Sequence, residues 1–164
     1  MRVLITGGFG FLGGRLGKYL STLGYEVILG SRKERIKPKW LKKGSIFKLD
    51  WENHDSLLKI CEGVDIVVHT AAYAHEGLSV FSPYLISRNI VAGSTAVFSA
   101  AIQNKVKRIV FCSSMARYGE IEIPFKESDN PEPIDPYGIS KLAAEKILIN
   151  LCKLHGVQYN IAVP

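Results

Sequence analysis

The chain has 164 residues, 47% hydrophobic and 22% charged, which suits one soluble globular domain with a sizeable core. It contains no run of 18 apolar residues, and Met1-Arg2-Val3-Leu4-Ile5 leads directly into a strand, which argues against a membrane span and a secretory leader and favours a cytoplasmic protein. The formal net charge of +6 raises the question of nucleic acid, which the placement of the cations answers below.

Residues 2–6 form a short apolar run that breaks into glycines, and residues 11–23 then show helical spacing at Leu12, Leu16, Leu20 and Leu23. Between them Gly7, Gly10 and Gly13 are spaced G-x-x-G-x-x-G. That spacing lets a backbone turn tightly, approach a pyrophosphate and pack a helix onto a strand, with the phosphates at the helix N-terminus. A strand, a glycine turn and a helix in this order is the context that a dinucleotide site requires.

The next strand, residues 26–30, ends where an NAD-specific fold usually presents Asp or Glu to the ribose 2′-hydroxyl. Here the residues are Gly30-Ser31-Arg32. With no carboxylate and with Arg32 and Lys33 at hand, a 2′-phosphate fits, so NADP is favoured over NAD. The basic run RKERIKPKWLKK, residues 32–43, carries one aromatic, Trp40, in a predicted loop. It reads as a solvated surface with one or two cations facing a phosphorylated cofactor, not as a nucleic-acid surface.

A strand at residues 45–49 delivers Asp50, suited either to an adenine amine or to capping the helical stretch at residues 55–61. Residues 64–70 are a nearly continuous apolar run, as in a parallel strand buried on both faces, and end in Ala71-Ala72, small enough for a flat cofactor to lie against the backbone. Residues 80–104 predict one helix of about 37 Å, with Asn89 and Gly93 inside it. The strand at residues 107–113 ends in Ser113 and Ser114, which read equally as crevice hydroxyls or as turn-bonding serines.

After a proline-rich loop, Asp135 as N-cap and Pro136 as first helical residue start a helix over residues 136–155. Tyr137 then lies in its first turn and Lys141 four residues on, on the same face, where the ammonium is expected to pull the phenol below its reference value of about 10 and ready it for acid/base work. Ile139, Leu142, Ala143, Ile147, Leu151 and Leu154 are expected to cover the sheet, with Ala144, Leu148 and Cys152 widening the stripe enough to bury a second surface. The simplest partner is another subunit, giving a homodimer through the helices at residues 80–104 and 136–155. Residues 158–163 form the last strand.

Cys61, Cys112 and Cys152 are odd in number and widely spaced, and read as buried free thiols. His54, His69, His75 and His155 show no metal-ligand spacing; all four are taken as surface or packing residues and no metal is expected. Six strands alternating with helices predict an α/β doubly wound parallel sheet, a Rossmann fold, in the order 3-2-1-4-5-6.

The motifs TGGFGFLG at residues 6–13, HTAA at 69–72, Asn89 with Gly93, CSSMARYG at 112–119 and PYGISKLAAE at 136–145 carry a further reading. With them the chain resembles the N-terminal, cofactor-binding part of an extended short-chain dehydrogenase/reductase of the nucleotide-sugar epimerase/dehydratase group, over essentially all of its length. The resemblance implies an NAD(P)-dependent nucleotide-sugar epimerase, similar to UDP-glucose 4-epimerases, that oxidises a sugar hydroxyl transiently and returns the hydride. The alternatives are an NADP-dependent dehydrogenase or reductase, or a cofactor-binding module without turnover. It makes Tyr137 the acid/base, gives Lys141 the phenol and a ribose, sets Ser114 on the reacting hydroxyl, and places Asn89 behind the site near the lysine. The cofactor-binding set it implies is Gly7, Gly10, Phe11, Leu12, Gly13, Ser31, Arg32, Asp50, Ala71, Ala72, Asn89, Tyr137 and Lys141. Two departures matter. Ser114-Met115-Ala116 lacks the Thr-Asp-Glu set of the group's dehydratases, which disfavours elimination of water. The domain that grips the nucleotide-sugar normally follows the sixth strand, so it is expected to be missing from residues 1–164, here a single NAD(P)-binding domain.

Overall fold

The computed structural model describes residues 1–164. Strands β1 (Arg2–Thr6), β2 (Glu26–Ser31), β3 (Gly44–Lys48), β4 (Ile66–His69), β5 (Arg108–Cys112) and β6 (Gln158–Ala162) form one sheet in the order β3-β2-β1-β4-β5-β6. Every pair is parallel, so each connection crosses over, and the expected doubly wound order is the one observed. The crossovers are carried by helices α1 (Phe11–Thr22), α2 (His54–Cys61), α3 (Glu76–Ser79), α4 (Pro83–Ser87), α5 (Gly93–Gln103) and α6 (Pro136–His155).

Strand register sorts the core. Leu4 stands beside Ile28 and Val67, and Val67 beside Ile109, so this row faces one side; Val3, Ile5, Val27, Leu29 and Val68, one residue out of step, face the other. The first side, under α2, α5 and α6, gathers 21 buried residues and the side under α1 six. The deep core is therefore the one against which α6 packs, and polar groups on that helix lie in its least hydrated surroundings.

Three expectations are corrected. The predicted helix over residues 80–104 begins only at Pro83, because proline clashes with a preceding helical turn, and Arg88–Ala92 is a π-helical turn between α4 and α5. Pro83–Gln103 is long and apolar enough to cross a membrane by composition, yet it is a core helix, with Ile86, Ile90, Val97 and Phe98 buried in the sheet-facing cluster. On α1 the expected Leu16 and Leu20 do pack half-buried against the core, but Leu12 and Leu23 are exposed and the buried positions are Gly13 and Gly17; a Cβ on Gly17 would lie 2.8 Å from Leu29, so the small residues let the helix sit close to β2.

The third correction concerns α6. Its buried face is Tyr137, Ser140, Lys141, Ala144, Glu145, Leu148 and Cys152, whereas Ile139 is 53% and Leu154 72% exposed. Of the stripe Ile139, Leu142, Ala143, Ile147, Leu151 and Leu154, the two ends are turned outward, while Ile147 and Leu151 pack half-buried against the core. The reason is that the polar residues on the inward face find partners, Lys141 and Glu145 at the end of β5 and just after it, Ser140 in Ser87 and the Pro136 carbonyl, so the polarity of that face did not force it outward.

Candidate active site

At the carboxyl ends of β1, β2 and β4, where the strand order reverses, lies a cleft of about 310 Å³. Gly7, Gly10, Ser31, Arg32, Ala71, Ala72 and Asn89 line it, with His69, Thr70, Tyr73 and Trp51 among their neighbours. Gly7 has φ +67°, and its missing Cβ would lie 2.9 Å from the backbone of Ala71. Gly13, buried beneath, would bring a Cβ within 2.5 Å of the Gly7 carbonyl oxygen. These two glycines close the turn. Gly10 is different: it is exposed, and a Cβ there would meet only that same oxygen, at 3.2 Å.

No side chain caps α1, so the N–H groups of its first turn face the cleft's edge, where an anion is stabilised. Phe11 and Leu12, 80% and 46% exposed, do not line the cleft with their side chains; what they offer is this backbone. Asp50 does not line the cleft either: its carboxylate accepts the Glu52 N–H at 3.1 Å. Nor does it cap α2, since Asn53 does so by accepting the Ser56 N–H at 2.9 Å.

The β2 end of the cleft is cationic. Arg32, Lys33 and Arg35 line it and no carboxylate does. The Arg32 guanidinium lies 4.5 Å from the Tyr73 ring centroid and donates to the Tyr73 hydroxyl at 3.0 Å, which holds it across the cleft from β4.

One strand further, at the carboxyl end of β5, Ser114, Tyr137 and Lys141 come together. Asp135 accepts the N–H of Tyr137 at 2.7 Å and of Gly138 at 3.0 Å, so α6 starts where the sequence places it. A Cβ on Gly138 would lie 2.5 Å from the Ala116 carbonyl oxygen; glycine lets the first turn of α6 press on the short 3-10 turn Met115–Arg117, whose N-cap is Ser114. The Ser114 hydroxyl thereby reaches the Tyr137 phenol. It also accepts the Ala116 N–H at 3.2 Å, so the crevice role and the turn-bonding role coexist.

The electrostatics differ from the expectation. Burial pushes the Tyr137 phenol above its ordinary 10.0, against the Ser114 hydrogen bond, with Glu76, Asp135 and Cys112 adding to the rise. Lys141 does not reach the phenol: its Nζ donates to the Cys112 carbonyl at 2.7 Å and stands 5.8 Å from the Tyr137 ring centroid. A shared helix face brings two side chains near, but the carbonyl at the strand end is the closer acceptor. The lysine is 3% exposed, and burial pulls its ammonium down to about 8, opposed by Cys112 and Glu145. Asn89 makes no bond to it; the Asn89 amide donates to the Leu85 carbonyl at 2.8 Å, beside the π-helical turn.

Two residues escaped the sequence reading of the site. His69, taken for packing, also lines the cleft: its ring nitrogens pair with Thr6 Oγ1 at 2.6 Å and Ser94 Oγ at 3.0 Å, and burial, then Lys141, lowers its pKa to about 3. Glu145, 2% exposed, accepts from Ser113 Oγ and pairs with Arg117 at 3.0 Å. The signal was present for Glu145, since Tyr137, Lys141 and Glu145 are spaced four and four along one helix face. The thiols of Cys61 and Cys152 are buried, Cys112 is partly exposed, and all three are free.

Residues 3–164 match the NAD dependent epimerase/dehydratase family. The chain is 33% identical over 162 residues to the UDP-glucose 4-epimerase of Halalkalibacterium halodurans, covering 97% of this chain and 48% of that protein. It is also 33% identical over 161 residues to the UDP-glucose 4-epimerase of Streptomyces lividans, at 95% and 49% coverage. Among solved structures, the UDP-glucose 4-epimerase of Brucella ovis in complex with NAD superposes with a TM-score of 0.91 at 30% identity, over 99% of this chain and 51% of that one. That of Thermotoga maritima with UDP-glucose gives 0.88 at 29% identity, over 98% and 54%. The chain thus spans about half the length of the relatives it matches. By the match over nearly its whole length, the chain belongs to the NAD dependent epimerase/dehydratase family.

Proposed function

We propose that this chain is the dinucleotide-binding and acid/base half of a nucleotide-sugar epimerase acting on UDP-glucose or a close analogue. The observation that carries the reading is the meeting of Ser114, Tyr137 and Lys141 at the end of β5, one strand from a cleft whose floor is a glycine turn. The exposed backbone at Gly10 and the uncapped start of α1 fit a pyrophosphate.

When bound, the oxidised nicotinamide supplies a hydride acceptor and a positive charge. The chain's own residues move the proton. Tyr137 takes it from the sugar hydroxyl as the alcohol becomes a ketone and gives it back when the ketone is reduced from the other face. Ser114 hydrogen-bonds the same oxygen, and Lys141 supplies the nearby cation that favours the phenolate once a second positive charge arrives. Sugar alignment calls for binding energy from the remote nucleotide, which the matched relatives have the additional length to provide.

On cofactor choice we read the cationic end of the cleft as a 2′-phosphate site, so NADP(H) binds more tightly than NAD(H), although the Brucella ovis relative carries NAD. The exposed Tyr84, Leu85, Ile139 and Leu154, on the helices within residues 80–104 and 136–155, and Phe81 in the turn before the first of them, support a homodimer through those helices.

The test of the reading is interconversion of UDP-glucose and its C4 epimer by a protein in which this chain is continued or fused to a substrate domain. Tyr137→Phe should lower that turnover by roughly 10²-fold with little change in cofactor affinity. Parent-rate turnover by the variant would remove Tyr137 from the chemistry.

A further inference from the structure

The proposed mechanism uses neither Glu145 nor Arg117, yet both are placed with care. Glu145 lies in the deep core, one helical turn beyond Lys141 on the face of α6 that also carries Tyr137. One carboxylate oxygen accepts from the hydroxyl of Ser113, the residue before Ser114; the other pairs at 3.0 Å with Arg117, three residues after Ser114. The turn bearing Ser114 is thus held on both sides by a single side chain.

A buried ion pair is a poor way to gain stability, since desolvation offsets its attraction and apolar residues of like size serve as well. This one is not even fully satisfied, because the buried Arg117 Nε has no partner. Its geometry makes better sense as orientation. We infer that Glu145 is a positioning residue for Ser114 and Lys141: its carboxylate clamps the turn that carries Ser114 and sets a negative charge beside the lysine on one face of α6. This inference rests on the reading that Ser114, Tyr137 and Lys141 are the reacting set.

The titratable groups facing Lys141 are Tyr137 and Glu145 on its own helix, Cys112 on β5 and His69 on β4. Of these, Glu145 supplies the carboxylate. Its attraction opposes the burial that pulls the ammonium down, so its removal should let the lysine lose its proton at still lower pH.

The experiment is a pH titration of the Lys141 side chain by NMR in the 164-residue protein with labelled lysine, the signal assigned through Lys141→Met. Glu145→Gln should move the midpoint down by about one pH unit, and Glu145→Asp, which keeps the charge, should restore most of it. If Glu145→Gln alone does not fold, the double variant Arg117→Gln/Glu145→Gln removes both halves of that ion pair together and carries the same titration. A midpoint at the parent's pH in the folded variant overturns the inference. In a protein that turns over substrate, Glu145→Gln should lower kcat at least about tenfold, leave KM for the nucleotide-sugar nearly unchanged, and shift the alkaline limb of the rate profile to lower pH. Parent-like kcat and limb in that variant likewise overturn it. A parent with no turnover counts instead against the functional reading, and the NMR midpoint then decides the role of Glu145 alone.

Discussion

At the carboxyl end of β1 the chain builds a site out of backbone, and at the carboxyl end of β5 it builds one out of buried side chains. The glycine turn offers N–H groups and empty space; its function depends on what is missing, namely the Cβ atoms of Gly7, Gly10 and Gly13. The Tyr137 region depends on what is present: a phenol, an ammonium, a carboxylate and a guanidinium drawn into the deep core, each with ionisation or pairing set by its neighbours. A backbone site survives changes in surface chemistry but not added volume. A buried side-chain site tolerates little change in charge, because the low-polarity surroundings magnify every unpaired group.

The sharpest way to break the contrast is in the side-chain region. Lys141→Met should lower turnover by at least roughly 10²-fold and weaken cofactor binding too, whereas Ser114→Ala should reduce turnover while leaving cofactor affinity nearly intact. Parallel kinetics and binding measurements on the fused protein check this, and equal cofactor affinities in both variants would separate Lys141 from the ribose.

In the backbone region, Gly13→Ala should cost about 1–3 kcal/mol in a denaturant titration, since the new Cβ meets a fixed carbonyl at 2.5 Å. At Gly10 the same change meets a single carbonyl oxygen at 3.2 Å, a tight contact relieved by a small shift, and should cost less than at Gly13. A smaller effect of about tenfold is expected from Arg32→Ser on NADPH affinity, with NADH affinity unchanged, as in the loss of one charge-assisted phosphate contact. An equal loss for both cofactors would assign Arg32 to the Tyr73 contact alone.

A separate prediction, on pH stability, tests whether His69 belongs with the buried side-chain site. Its folded pKa of about 3 lies below the unfolded value near 6.5, so the unfolded state binds the extra proton between these limits. Stability should therefore fall as pH drops from about 6.5 toward 3, by up to about 1.4 kcal/mol per pH unit from this group. His69→Gln should flatten that limb in melts recorded across the range; an unchanged slope would mean the ring is not buried neutral.

Legibility from sequence follows the same division. Strand order, the glycine turn and the start of α6 at Asp135 were readable because each is local: alternation of apolar runs, glycine spacing, and a cap followed by proline. The inward face of α6 was misread because Lys141 and Glu145 look like a solvent face until the Cys112 carbonyl and Ser113, at the end of β5 and just after it, provide their partners, and that pairing joins residues far apart in the chain. The protonation of Tyr137 was misread for the related reason that spacing gives proximity but not burial. Pro83 was a legible stop that the apolar periodicity on both sides of it concealed.

Whether this chain alone holds a dinucleotide on its glycine turn is decided by fluorescence titration of NADPH and NADH into the 164-residue protein and its Gly10→Val variant. The added Cβ meets one protein atom, the Gly7 carbonyl oxygen at 3.2 Å, and a small shift relieves that contact, so the variant should fold, which its circular dichroism spectrum checks. The account predicts saturable binding by the parent and none by the variant. Binding of equal strength by both would contradict it, because the phosphates would then lie somewhere other than above Gly10.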